Sequence, residues 1–135
     1  MTKDRKKHRG VDLGKLGRSF AAAASGFGQA LRTEQNMQIH LVITVAVVAA
    51  GLWLEISGNE WLMLAACIIG VLVVELLNTA LEYLADVVRD EGKLNYEATK
   101  YPRDMAAAAV LLTAMTAAAV GLMIFVPHFV NKMGW

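Results

Sequence analysis

The chain has 135 residues, 56% of them hydrophobic, a mean hydropathy of +0.44 and a formal net charge of +1. That leaves room for one domain and excludes an ordinary soluble one, so the chain reads as an integral membrane protein. The charge is uneven, because seven of the thirteen Lys and Arg residues fall in the first eighteen positions.

Residues 1–12, containing TKDRKKHRG, form a basic tail suited to an anionic membrane surface or a phosphate, with nucleic acid the weaker reading. The single domain is 13–135. Between Leu13 and Leu31, the residues Leu13, Leu16, Phe20, Phe27 and Leu31 recur at mostly helical spacing, with Lys15 and Arg18 on a polar side. This predicts a helix lying on the membrane. A cleaved signal peptide is rejected because the apolar part is short, rich in Gly and Ser, and followed at once by Gln29, Arg32 and Glu34. GVDLGKLG is not a phosphate loop, since three residues separate Gly10 from Gly14 and Leu16 follows Lys15; Lys15 can still meet phosphate as a point charge.

Three spans are expected, at about 37–56, 61–88 and 104–127. The first has a fourteen-residue apolar centre, LVITVAVVAAGLWL, which needs its flanks in the interface to reach the ~20 residues of a bilayer crossing. EISGNE is a short turn. The second starts at Trp61 and keeps helical register to about Val88, roughly 40 Å. The third is MAAAAVLLTAMTAAAVGLMIFV, with Pro127 expected to end it and Trp135 at the interface. The lone Cys67 reads as an inert buried thiol, and no Cys and His grouping has zinc spacing. His8 belongs to the tail, His128 to the outer interface, and His40, on the turn after Glu34, reads as a packing residue, with a supporting partner of a polar site there as the alternative.

The second span ends in VVELLNTALEYLAD. At about 100° per residue, Glu75, Asn78, Glu82 and Asp86 fall within roughly 80°, so one helix face carries three carboxylates and an amide. A carboxylate in lipid costs on the order of 3 kcal/mol or more, and three on one face repel unless a cation or proton sits among them. The turn from Glu55 to Glu60 has no Lys or Arg, whereas the stretch from Arg89 to Arg103 has four. That bias puts the amino terminus and the second connection in the cytoplasm and the carboxy terminus outside. Glu34, Arg103 and Asp104 then share the level of the stripe's lower end. Such a layer fits Mg²⁺ with a nucleotide phosphate, while the deeper Glu75 suits a general base acting on a lipid hydroxyl. A non-catalytic oligomer with a cation site lined by Glu75, Glu82 and Asp86 is the alternative.

SFAAAASGF, RTEQNMQIHL, NEW, VELLNTALEYLAD and RDMAAAAVLL, in that order, resemble the bacterial diacylglycerol kinase and undecaprenol kinase family over residues 13–127. The resemblance implies an all-α homotrimer in the bacterial cytoplasmic membrane, each subunit with an amphipathic surface helix and three transmembrane helices. It also implies transfer of the γ-phosphate of MgATP to a lipid alcohol, undecaprenol or diacylglycerol. The family's catalytic base falls on Glu75 and its metal-binding glutamates on Glu34 and Glu82. Asn78 falls beside the reacting hydroxyl, and Asp86, Arg103 and Asp104 near the nucleotide. Arg103 stands where the family usually has Lys, Pro102 is unusual, and Ala22 replaces a frequent aromatic residue. The connection from Asp86 to Asp104 is about three residues longer than usual, by this resemblance. QNMQIHL and GNEW look more like the undecaprenol-preferring members.

Overall fold

The structure is a computed structural model, and it describes residues 12–134. The basic tail to residue 11, including His8, and Trp135 lie outside the described residues. Four helices follow one another: α1 (Leu13–Thr33), α2 (Gln35–Leu54), α3 (Gly58–Glu91) and α4 (Glu97–Met133). There is no strand among the described residues. The chain is an all-α membrane protein in which α2, α3 and α4 are each long and apolar enough to cross a bilayer.

Local chemistry sets the breaks. Asp12 caps α1 by accepting from the Lys15 N–H at 3.0 Å. One extended residue, Glu34 (φ −99°, ψ 116°), then separates α1 from α2. The Gln38 side chain reaches back across this corner, donating to the carbonyls of Leu31 and Arg32 at 3.2 and 3.4 Å, so part of the unpaired end of α1 is satisfied from α2. At the opposite end Glu55 is left-handed (φ 56°), and Ser57 with Glu60 forms a reciprocal capping box that starts α3.

α3 and α4 make the most extensive helix pair, α2 packs against both, and α1 touches α2 and α3 only. Their ends sort into two poles. At one pole Trp53 of α2 stacks obliquely on Phe129 of α4, Lys132 donates to the Trp53 carbonyl, and Glu60 of α3 lies 3.5 Å from His128. His128 therefore bridges α4 to α3 at the end expected to face outward. The buried apolar cluster of Leu54, Ile56, Leu64 and Ile124 sits near this pole. At the other pole lie Glu34, the end of α3 and the start of α4.

Two expectations are corrected. Pro127 does not end the last helix, which runs on to Met133, and Pro102 also lies inside α4. Each ring removes only the one hydrogen bond its own nitrogen would have made, and the neighbouring turns hold the helix together. The connection after Asp86 is also largely helical: α3 continues to Glu91 and α4 begins at Glu97, leaving five residues between them. Cys67 is half-buried rather than buried.

Close approach of α2 to α3 depends on Gly51. A Cβ there would stand 2.9 Å from Cη2 of Trp61 and 3.2 Å from Cδ1 of Ile56. Gly51→Ala should therefore overpack the α2–α3 turn and cost about 1–3 kcal/mol, seen as a lower thermal midpoint in detergent with the helical signal of the native state retained.

Candidate active site

The inner half of α3 is polar on the side that meets its neighbours and apolar on the side that does not. Glu75, Asn78 and Thr79 are buried, at 1%, 4% and 7% exposure, whereas Leu77, Leu81, Leu84 and Val87 are exposed. This is the pattern of a helix with lipid as its outer solvent. The stripe therefore faces inward.

Asn36 of α2 lies beside Glu75, and the charges of His40 of α2, of Glu82 two turns along its own helix and of Glu34 at the α1–α2 corner act on it. The Asn78 amide donates to Glu82 Oε1 at 3.0 Å, which fixes the half-buried Glu82 carboxylate over it. Glu34 accepts from Thr33 Oγ1 at 3.0 Å and from the Tyr83 hydroxyl at 3.3 Å. Asp86 Oδ1 accepts from Arg103 of α4 and lies 2.9 Å from Nη1 of Arg89. The Arg103 guanidinium also sits over the Tyr96 ring, 5.6 Å from its centroid. Asp86 thus holds two guanidinium groups at the rim of the acidic stripe.

Three buried side-chain atoms lack a hydrogen-bond partner among the described residues: Glu75 Oε2, Asn78 Oδ1 and Arg103 Nε. Each such group costs about 1–3 kcal/mol, more if charged, unless a ligand completes it. All three belong to residues singled out from the sequence. Two acceptors at the deep end and a donor at the rim suit, respectively, a hydroxyl and a phosphate.

The profile of the family described as prokaryotic diacylglycerol kinase matches residues 21–125. The chain belongs to this family. It is 36% identical over 124 residues to the undecaprenol kinase of Bacillus subtilis, covering 92% of this chain and 98% of that protein. To the diacylglycerol kinase of Synechocystis it is 38% identical over 117 residues, covering 85% of this chain and 65% of that one. As a member of the prokaryotic diacylglycerol kinase family, the chain is an ATP-dependent lipid kinase.

The fold brings most of the expected residues of this kinase together within one chain. Glu34, Glu75, Asn78 and Glu82 form one cluster, and Asp86 with Arg103 an adjoining one. Asp104 is exposed and has no hydrogen-bond partner among the described residues. Lys15 is exposed in the first turn of α1, about 28 Å along that helix from Glu34. Within one chain it stands apart. The sequence reading did not assign Arg89, Tyr83, Asn36 or Tyr96 to the site. Arg89 was legible as the i+3 partner of Asp86; Asn36 and Tyr83 depend on how α2 and the Glu34 corner meet α3, and Tyr96 on how the chain turns into α4.

Among the described residues, no three His, Cys, Asp or Glu side chains gather into a metal cage. Mg²⁺ that arrives with a nucleotide needs only one or two protein carboxylates, the rest of its shell being phosphate and water. Glu82, on the Glu75 face of α3, and Glu34, whose Oε2 accepts from nothing among the described residues, fit that smaller requirement.

Proposed function

We propose that the chain phosphorylates undecaprenol in preference to diacylglycerol, at a site running along α3 from Glu75 to Asp86. The observation that carries the site is the placement of all three buried, unpartnered polar atoms on Glu75, Asn78 and Arg103. Glu75 acts as the general base. It accepts the proton of the lipid hydroxyl as that oxygen bonds to the γ-phosphorus and the bond from phosphorus to the departing ADP oxygen breaks. Asn78 orients the hydroxyl through its free carbonyl oxygen. Glu34 and Glu82 would hold Mg²⁺, which when bound neutralises phosphate charge. Arg103, steadied by Asp86 and Tyr96, binds the nucleotide phosphates, with Asp104 and Lys15 contributing from the rim.

An apolar groove of about 460 Å³ between α2, α3 and α4 supports a lipid substrate. Val47, Leu64, Ile68, Val71 and Phe125 line it, and His40, the neighbour of Glu75, is also in its wall. The end-to-end likeness to an undecaprenol kinase supports the polyprenol.

The proposed assembly is a homotrimer in a bacterial cytoplasmic membrane. Met105, Leu112, Met115 and Met123 of α4 are all more than 60% exposed, and its Ala-rich run permits close approach by another helix. A neighbouring copy could then bring Lys15 to a site that its own chain leaves distant. The amino terminus and the α3–α4 connection face the cytoplasm and the carboxy terminus faces outward, as the distribution of Lys and Arg suggests.

A competition assay tests the substrate. Mixed micelles holding equal mole fractions of undecaprenol and diacylglycerol, with MgATP labelled in the γ-phosphate, should yield mainly labelled undecaprenyl phosphate. Label found mainly in phosphatidic acid would overturn the preference.

A further inference from the structure

Glu34 has an unusual station. It is the single non-helical residue between α1 and α2, and its backbone is pinned on both sides, with its N–H donating to Ala30 at 2.9 Å and its carbonyl accepting from Gln38 at 3.2 Å. The side chain is also held. Tyr83 Oη donates to Oε1, Thr33 Oγ1 shares its single proton between that oxygen and the Gln29 carbonyl, and among the described residues nothing donates to Oε2.

The two donors differ in what they contribute. Thr33 is the adjacent residue and shares the corner's own motion, so it cannot fix the carboxylate relative to α3. Tyr83 comes from α3 itself, directly after Glu82, and spans 49 positions of sequence. Its hydroxyl is therefore the link that sets the Glu34 carboxylate against the helix carrying Glu75, Asn78 and Glu82. We propose that Tyr83 is a positioning residue for the phosphoryl transfer: it orients Glu34 so that Oε2 is directed to the cation that accompanies ATP. This rests on the reading of Glu34 as a metal-binding residue. Tyr83 itself touches neither substrate nor metal. Its ring is about half exposed, so the hydroxyl and not its packing carries the effect.

The test uses the full chain in detergent or lipid, with Tyr83→Phe, Glu34→Gln and the double variant titrated with Mg²⁺ at saturating ATP and lipid. Tyr83→Phe keeps the ring and removes the one donor. It should raise the Mg²⁺ concentration for half-maximal activity about threefold to tenfold, the net worth of one typical hydrogen bond. The KM for lipid and the thermal midpoint should stay at their wild-type values. In the Glu34→Gln background the same change should have little further effect on the Mg²⁺ response, because the two residues act as one unit. If Glu34→Gln shifts the Mg²⁺ response and Tyr83→Phe does not, the proposal for Tyr83 is overturned while the role of Glu34 stands. Glu34→Gln with a wild-type Mg²⁺ response would overturn the reading of Glu34 and with it the proposal. A lower thermal midpoint for Tyr83→Phe with unchanged Mg²⁺ dependence would make the contact structural only.

Discussion

Replacing Glu75 with Gln should lower kcat for lipid phosphorylation by about 10²–10⁴-fold, the usual contribution of a positioned general base. The amide has nearly the same shape, so packing against Asn36 and His40 is kept and only proton acceptance is lost. Two further expectations separate this from a folding defect. The KM for ATP should change little, because Glu75 lies at the deep end of the stripe and the arginines at its rim. The thermal midpoint should hold or rise, since Glu75 is buried to 1% exposure with Oε2 unpartnered, and neutralising it removes a desolvated charge. Steady-state kinetics with calorimetry on the same samples reads all three.

The second large effect is expected at Arg103. Its side chain is 15% exposed, bonded to Asp86 and lodged over Tyr96, with Nε buried and free of a partner. A guanidinium held in this way is preorganised for a phosphate, and a charge-assisted hydrogen bond is worth about 1.5–3 kcal/mol. Arg103→Ala should therefore raise the KM for ATP by about 10- to 100-fold, with a smaller change in kcat, and Arg103→Lys should recover much of the loss because a cation remains. Asp86→Asn should act in the same direction but more weakly. It leaves both arginines in place and loosens only the carboxylate that orients them. Kinetics at varied ATP and fixed lipid distinguish these cases.

The stripe itself was legible because lipid turns polarity into information. In a soluble protein, Glu75, Asn78, Glu82 and Asp86 would be an ordinary wet helix face, but within a run such as VLVVELLNTALEYL they need an inward direction and a reason. The helical register of one element was enough to predict that they share a face. The presence of three crossing helices was equally legible, since apolar length is a one-dimensional property.

What depended on contact between elements was not. Tyr83 lies about 100° from Glu82 around α3, off the stripe, and only the corner at Glu34 gives its hydroxyl a partner. Asn36 looks like any polar residue near a helix start, and His40 could be read either as packing or as a partner of the site, until α2 is seen to pack against Glu75. The helix ends misled for a different reason. Proline was weighed as a terminator at Pro127, yet both Pro127 and Pro102 lie within α4, where the lost hydrogen bonds are outweighed by continuity of the surrounding turns. The register legible to about Val88 carries on to Glu91, through Arg89, which pairs with Asp86 and Asp90.

The central claim is that the carboxylates along α3 serve phosphoryl transfer rather than conduct ions. The chain reconstituted in vesicles with a lipid alcohol, Mg²⁺ and γ-labelled ATP gives the most direct test when labelled lipid and cation flux are followed in the same preparation. The account predicts organic-soluble label that depends on Mg²⁺, with no flux above that of empty vesicles. Cation flux with no label in either undecaprenol or diacylglycerol would contradict it.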